Sequence, residues 1–295
     1  MRSAVLADFA SCPGVEVMTI PDGLPIDEEA ALFRRLGGTC DWTLLIAPES
    51  AGILFDRCRV VEEAGGRLLG PDSAAVRLTG DKQELERHLA NHGVPTPPCE
   101  LWRDGGSPRT SFPLVCKPRD GAGSQATFLV SDGKELTRCA ALTRSEGFSG
   151  ELLLQPYSPG RPVSVAFLIG PNGRLGLPSV EQHLSEDGRF RYLGGSLPLQ
   201  PEPDARARNL AGRALTCVAG LRGYVGVDLI LAETSDADTV VEINPRLTTS
   251  YIGYRALARN NLAVAMLMLA RGSDAPVLSW HRGPVQFTSQ GTVLD

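Results

Sequence analysis

The chain has 295 residues, of which 42% are hydrophobic and 21% charged, with 32 glycines and 22 prolines. At roughly 150 residues per domain this is about two domains' worth, and the composition of a loop-rich globular protein excludes a disordered or fibrous one. Its 29 basic and 34 acidic residues leave a formal charge of −5, with the signs interspersed and no basic run, so no nucleic-acid partner is expected.

Seven cysteines, none in a C-x-x-C pair, read as small core hydrophobes of a reducing compartment. Asp8 interrupts the N-terminal run before an apolar signal segment can form. The most apolar helical run, Leu262–Ala270, is far shorter than the ~20 residues that span a bilayer. A soluble, cytoplasmic protein with no membrane partner is the expectation.

The first 75 residues alternate between strand and helix signals. Val15–Ile20 suits a strand, and Asp27–Phe33 starts a helix with acids in its first turn. Leu44–Ala47 reads as a short buried strand, Ile53–Ala64 has helical spacing, and Arg67–Leu69 leads into Gly70-Pro71. This is a small α/β unit over 1–75. It has no G-x-G-x-x-G after its first strand, which argues against a dinucleotide-dependent oxidoreductase.

A helix over Lys82–His92 follows, then the turn-rich Gly93–Pro98. The strand Pro113–Lys117, the loop Asp120–Ser124 and the strand Thr127–Val130 form a strand, loop, strand pattern. A helix over Lys134–Leu142 comes next, then strands at Leu152–Gln155 and Pro162–Ile169 and a return through Leu175–Val180. Leu210, Ala214, Val218 and Leu221 share a helical face, so 205–222 is read as an amphipathic helix. Strands at Val225–Leu231 and Thr239–Ile243 precede an apolar helix around Ala256–Ala270. Residues 272–295 read as a C-terminal tail.

The strongest chemical signal is Gly226-Val227-Asp228-Leu229-Ile230-Leu231 followed by Val240-Val241-Glu242-Ile243-Asn244-Pro245-Arg246. Alternation puts Glu242 and Asn244 on one face and turns Val241 and Ile243 to the core. If the strands pair, Asp228 joins them in an oxygen-donor set suited to Mg²⁺. Arg246, beyond a rigid proline, can meet the charge of a phosphate or carboxylate. The same cluster would also serve as a structural ion pair at a strand end.

Lys117 and the loop Asp120–Ser124 are the second signal. Glycines let backbone N–H groups converge on phosphate oxygens, and the lysine adds a point charge. A two-glycine hairpin is also an ordinary turn, and the order of lysine and glycines is not that of a Walker A loop. His183 is either a substrate contact or a packed or solvated residue. Thr248, Thr249 and Ser250 suit a helix N-cap or a set of carboxylate donors. Tyr251 would stack on an aromatic substrate or pack, and Met266 and Met268 fill core.

Taken in order, Asp81-Lys82, Gly93-Val94-Pro95-Thr96-Pro97, Phe112–Pro118, the glycine loop, Gln155-Pro156-Tyr157 and Glu242–Arg246 resemble the ATP-grasp superfamily over roughly residues 70–271. The resemblance implies a small N-terminal α/β domain over 1–75, followed by an ATP-grasp fold of two α+β subdomains over 76–271. The nucleotide subdomain would cover about 76–155 and the metal and substrate subdomain about 156–271. It implies that Lys82 and Lys117 contact ATP phosphates and that Gly121, Ala122, Gly123 and Ser124 fold over them. Backbone at Gln155, Pro156 and Tyr157 would hold adenine, and Asp228, Glu242 and Asn244 would hold one or two Mg²⁺, with Mn²⁺ an alternative. Many hinges of this superfamily carry acids where Pro156 and Pro162 stand, which leaves the ribose contact unassigned.

Glu242 through Tyr251, Val180-Glu181-Gln182-His183 and Tyr192-Leu193-Gly194-Gly195 are similar to the tyramine–glutamate ligase group of methanofuran synthesis. The activity so implied is an ATP-dependent carboxylate–amine ligase with small-molecule carboxylate and amine substrates. Arg246 and Lys117 would act in catalysis, and Arg246, Thr248, Thr249, Ser250 and Tyr251 would hold substrate. A D-alanine-ligase-like enzyme and a non-catalytic nucleotide-binding module are the alternatives, and a homo-oligomer stays open.

Overall fold

The computed structural model describes residues 1–103, 105–121 and 123–294. Its N-terminal part is helical with little sheet: α1 (Arg2–Ala10), α2 (Ile26–Thr39) and α3 (Ile53–Glu63). Asp27, Glu28 and Glu29 sit in the first turn of α2, where the helix dipole favours acids. The strand expected over 15–20 is extended backbone outside any ladder, and the strand expected over 44–47 is represented only by a parallel bridge between Thr43 and Leu68. An apolar run becomes a strand only where a neighbour can satisfy its backbone, and here helices flank both segments.

Two short helices lead out of this unit. Asp72 caps α4 (Ser73–Gly80) by accepting from the Ala75 N–H. Asp81 then caps α5 (Lys82–Asn91) through the N–H groups of Gln83 and Glu84. The second cap makes Lys82 the first residue of its helix.

The next lobe is an antiparallel sheet of β1 (Glu100–Trp102), β2 (Leu114–Pro118), β3 (Phe128–Val130) and β4 (Leu152–Pro156), in the order β1-β4-β2-β3. Helix α6 (Gly133–Ser145), capped by Asp132, covers one face. Alternation along β2 sends Leu114 and Cys116 into that core and turns Val115 and Lys117 to the opposite, cleft-facing side.

The larger sheet holds β5 (Arg161–Ile169), β6 (Arg174–Gly176), β7 (Val180–Leu184), β8 (Tyr192–Leu197), β9 (Gly223–Leu231), β10 (Thr239–Asn244), β11 (Val285–Thr288) and β12 (Val293–Leu294). Its order is β10-β9-β5-β7-β8-β11-β12, with β6 beside β5. Residues after 271, expected to be a tail, thus extend this sheet: β11 pairs with β8 from Val285 opposite Leu197 to Thr288 opposite Gly194. Gly194 is required there, because a Cβ would lie 2.0 Å from the Phe287 carbonyl oxygen.

On β5 and β9, Val163, Val165, Phe167, Val225, Val227 and Leu229 pack under α7 (Pro201–Thr216). The opposite face is divided. At one end Ala166, Leu168 and Tyr224 meet α8 (Ser250–Leu257) and α9 (Leu262–Ala270). At the other end Pro162, Ser164, Asp228 and Ile230 are left to floor a cleft. The single apolar helix expected near 256–270 is therefore two, broken where Ala258 is extended and Asn261 caps α9 by accepting from Ala263 N. Helix α7 also departs from the expected 205–222, starting at Pro201, whose fixed φ suits a first helical position. Among the described residues, no helix is long and apolar enough to cross a membrane.

Tyr251 belongs to this packing and not to a substrate wall. Its side chain is fully buried, the hydroxyl donates to Asp8 Oδ2 at 2.7 Å, and Arg255 Nε donates to Asp8 Oδ1 at 2.8 Å. The stacking role expected of it is corrected accordingly: the first turn of α8 turns this ring toward α1. Tyr251→Phe is expected to cost about 1.5–3 kcal/mol of stability, the worth of a buried hydrogen bond to a charged group, and to leave nucleotide binding unchanged. Denaturant unfolding and ADP titration check both halves.

Candidate active site

Between the two sheets lies a cavity of about 270 Å³. Lys82, Lys117, Gly121, Gly123, Ser124, Gln155, Pro156 and Tyr157 line it from the first lobe; Asp228, Glu242, Asn244, Arg246, Thr248, Thr249 and Ser250 line it from the second. Residues separated by up to 168 positions in sequence thus share one cleft, as the motif order implied. Ala122 lies outside the described residues. Tyr251 is not in the lining, and His183 is exposed, bonded through Nε2 to Ser196 Oγ at 3.1 Å.

Strand pairing builds the acidic side. β9 and β10 run antiparallel with Asp228 opposite Glu242 and Gly226 opposite Asn244, and the register shifts between Val240 and Glu242. That bulge corrects one expectation: Val240 and Ile243 enter the core, while Val241 lines the cleft. An extra residue on one strand changes which side chains face inward. Asn244 Nδ2 donates to Asp228 Oδ2 at 3.0 Å, and Gln182 Nε2, from β7, donates to Asp228 Oδ1 at 3.2 Å.

Charge is uneven across this pair. Burial, and then the neighbouring Glu242 charge, push the Asp228 carboxyl up to about 7. Burial acts on Glu242 in the same sense, but the ammonium groups of Lys82 and Lys117 outweigh it and hold that carboxyl below its ordinary value. Lys82 Nζ is 3.7 Å from Glu242 Oε2 and donates to the Gly121 carbonyl at 2.7 Å. Two carboxylates and a carboxamide offer oxygen donors only, the set that fits Mg²⁺ or Mn²⁺. The described residues bring together no metal-binding group of three or more His, Cys, Asp or Glu side chains, so phosphate oxygens and water would complete an ion's shell here.

The basic side is equally ordered. Lys117 is buried, its Nζ donates to Gln155 Oε1 at 2.8 Å, and Gln155 Nε2 donates to the Pro97 carbonyl at 2.9 Å. Burial pushes the Lys117 ammonium below its ordinary value, a cost that an incoming anion relieves. Gly123, Ser124 and Ala126 all have positive φ, the curled backbone that aims successive N–H groups to one side. In the hinge the Tyr157 N–H is already spent on the Pro113 carbonyl at 3.1 Å, and Pro156 has none. Thr249 stands at the N-cap of α8 without a side-chain cap bond, leaving its hydroxyl in the cleft. Thr248 Oγ1 instead meets the Tyr224 hydroxyl at 3.0 Å.

Three features of the site were not legible in sequence. Glu49 Oε2 accepts from Arg246 Nη2 at 2.8 Å, bringing an acid of the N-terminal unit against the arginine. Its only signal is an acid placed just after a short apolar run. Gln182 shares a strand with His183 but faces the opposite way, which period-2 alternation would have indicated once the strand was fixed. The β7–β8 turn reaches across the cleft: Gly188 O accepts from Leu129 N at 2.7 Å, Arg189 pairs with Glu146 at 2.7 Å, and Phe190 stacks on Tyr157 with centroids 6.1 Å apart.

Two antiparallel α+β lobes thus close on a cleft with lysines of a helix start and a strand on one wall and carboxylates on the other. Residues 79–250 match the ATP-grasp domain family and residues 5–76 match the pre ATP-grasp 3 domain; the chain belongs to the ATP-grasp family. It is 28% identical over 217 residues to the tyramine–L-glutamate ligase of Methanocaldococcus fervens, covering 73% of this chain and 62% of that one. It is 25% identical to the D-alanine–D-alanine ligase of Francisella philomiragia over 69% of each chain. A solved ATP-grasp superfamily protein from Archaeoglobus fulgidus superimposes with a TM-score of 0.63 at 26% identity, covering 86% of this chain and 71% of that one. The chain spans 62 to 63% of the length of the tyramine–L-glutamate ligases it matches.

Protonation of Asp228 opposes a cation, so Mg²⁺ affinity is expected to fall as pH drops below 7, approaching roughly tenfold per pH unit; titration calorimetry of Mg²⁺ into the ADP complex between pH 6 and 8 checks this. The stability sign is opposite. The folded carboxyl is pushed up to about 7 from the ordinary 3.8, so without metal this group makes the fold less stable as pH rises from about 4 through 7. Asp228→Asn is therefore expected to raise the metal-free Tm at pH 8. Lys117→Ala is expected to weaken ADP binding by about 1.5–3 kcal/mol, the worth of a charged hydrogen bond.

Proposed function

We propose that the protein is an ATP-dependent carboxylate–amine ligase that makes an amide through an acyl phosphate. One arrangement supports this most: Asp228, Glu242 and Asn244 on paired strands stand across a single cleft from Lys82 and Lys117, with Arg246 two residues beyond the last oxygen donor. Lys82, Lys117 and the 121–124 loop align the triphosphate. Mg²⁺ held by Asp228, Glu242 and Asn244 would neutralise charge on the phosphates.

A substrate carboxylate oxygen attacks the γ-phosphorus, and ADP leaves. The amine nitrogen then attacks the acyl carbonyl, the carbon–oxygen bond to phosphate breaks, and a proton is lost from nitrogen. Arg246 meets the oxyanion of that tetrahedral intermediate, as a preorganised charge does where water is excluded. Thr249 and Ser250 add hydroxyl donors for the carboxylate. Residues 1–75 are assigned to the N-terminal domain, about 76–155 to the nucleotide lobe and about 156–271 to the metal and substrate lobe, in a cytoplasmic enzyme.

For substrates, we favour glutamate with tyramine or tyrosine, as in methanofuran synthesis, on the similarity to tyramine–L-glutamate ligases. The cleft adds a physical reason: Tyr192 and Phe190 line it and offer an aromatic wall to a phenolic amine. An amino-acid ligase of the D-alanine-ligase kind is the second reading, favoured by the match to that enzyme.

Enzyme, Mg²⁺-ATP and glutamate with tyramine, tyrosine or alanine are expected to give a γ-glutamyl amide, ADP and phosphate, read by mass spectrometry. With hydroxylamine in place of the amine, a glutamyl hydroxamate should form. If glutamate supports neither while D-alanine does, the second reading replaces the first. Glu242→Gln is expected to abolish turnover while the fold persists, since it changes a ligand without opening a core cavity; ADP release at the wild-type rate would sink the metal assignment.

A further inference from the structure

The N-terminal unit sends one carboxylate to the arginine of the site. Glu49 follows the extended segment 44–47, and the backbone then turns left-handed at Ala51 (φ 53°) and Gly52 (φ 71°). The short segment so formed has two targets. Ala51 N donates to Asp120 Oδ2 at 3.0 Å, at the head of the glycine loop. Glu49 Oε2 accepts from Arg246 Nη2 at 2.8 Å, across 197 positions of sequence.

Both partners are largely withdrawn from water, with 6% of the Glu49 side chain and 16% of the Arg246 side chain exposed. Arg246 Nη1 donates to the Leu247 carbonyl at 3.2 Å, while Arg246 Nε and Glu49 Oε1 are buried without a partner. A buried ion pair is a weak source of stability, because desolvation of both charges offsets their attraction. A buried N–H left unpaired is a further cost. Such a pair makes physical sense where orientation is needed: two anchors hold a long, flexible side chain in one pose.

We propose that Glu49 is a positioning residue. It fixes the Arg246 guanidinium from the N-terminal unit in one pose, preset for an anionic oxygen of the substrate; this rests on the reading of Arg246 as the group that meets the acyl intermediate. The same segment pins Asp120, so docking of the N-terminal unit sets the arginine and the glycine loop together.

Glu49→Gln keeps the shape and removes the charge. In protein carrying ¹⁵N-arginine, the Arg246 Nε–H signal, identified by its loss in Arg246→Lys, is expected to exchange slowly with water in the wild type and at least about tenfold faster in Glu49→Gln. In turnover assays, kcat is expected to fall about tenfold or more with KM for ATP within about twofold, and Glu49→Gln should add no further loss in the Arg246→Lys background. Unchanged Nε–H exchange overturns the proposal. So does an equal loss of kcat and ADP affinity, or an undiminished effect in the Arg246→Lys background. The exchange arm needs no substrate: a wild-type protein that turns over no carboxylate would sink the ligase reading, and the exchange data would still decide whether Glu49 seats the arginine.

Discussion

Asp228 and Glu242 face each other across neighbouring strands, half-buried in the cleft, and much of the site is arranged around that repulsion. Like charges this close cannot both stay ionised without compensation. The protein meets the problem three ways: amide donors from Gln182 and Asn244 on the Asp228 oxygens, the Lys82 ammonium near Glu242, and a geometry that suits a divalent cation. Lys82 has to be placed accurately for this, and its placement follows from the Asp81 cap. Arg119 grips Asp81 through Nε and Nη2, and the Arg119 carbonyl accepts from Lys82 N, so the helix start is tied to the strand end that carries Lys117.

The two lobes do not meet only through ligand. The β7–β8 turn crosses from the larger sheet to β3 and α6, and the Tyr157–Phe190 pair joins the hinge to that turn. Phe190 holds a left-handed φ of 51°, a conformation that costs a bulky residue and persists only where the surroundings impose it. The cleft is thus framed by parts of the chain that sequence places far apart.

The mutual dependence of the N-terminal unit and the larger lobe follows from the same contacts. Asp8 joins α1 to α8 and α9 through Tyr251, Arg255 and Asn261, and Glu49 joins the unit to Arg246. The Tyr251 and Glu49 contacts each satisfy a buried carboxylate that would be costly to leave alone. The N-terminal unit is thus tied to the active-site arginine and to the helices behind the larger sheet.

Period and order were enough, in the sequence alone, to indicate the strands that carry Lys117, Asp228 and Glu242, the glycine loop between β2 and β3, and the family to which their order belongs. These are local properties: alternation, turn residues and the chemistry of a short motif survive without knowledge of neighbours. Three things were decided only by the tertiary structure. The bulge at Val240–Glu242 turned Val241 into the cleft, because register is set by the partner strand. Tyr251 went to the core, because the start of α8 and the position of α1 choose its face. Glu49 reached Arg246, because a contact across 197 residues leaves no trace in local spacing. The residues after 271 read as a tail for the same reason: a short edge strand such as β11 is defined by the sheet that accepts it, and its own sequence carries too few alternations to announce it.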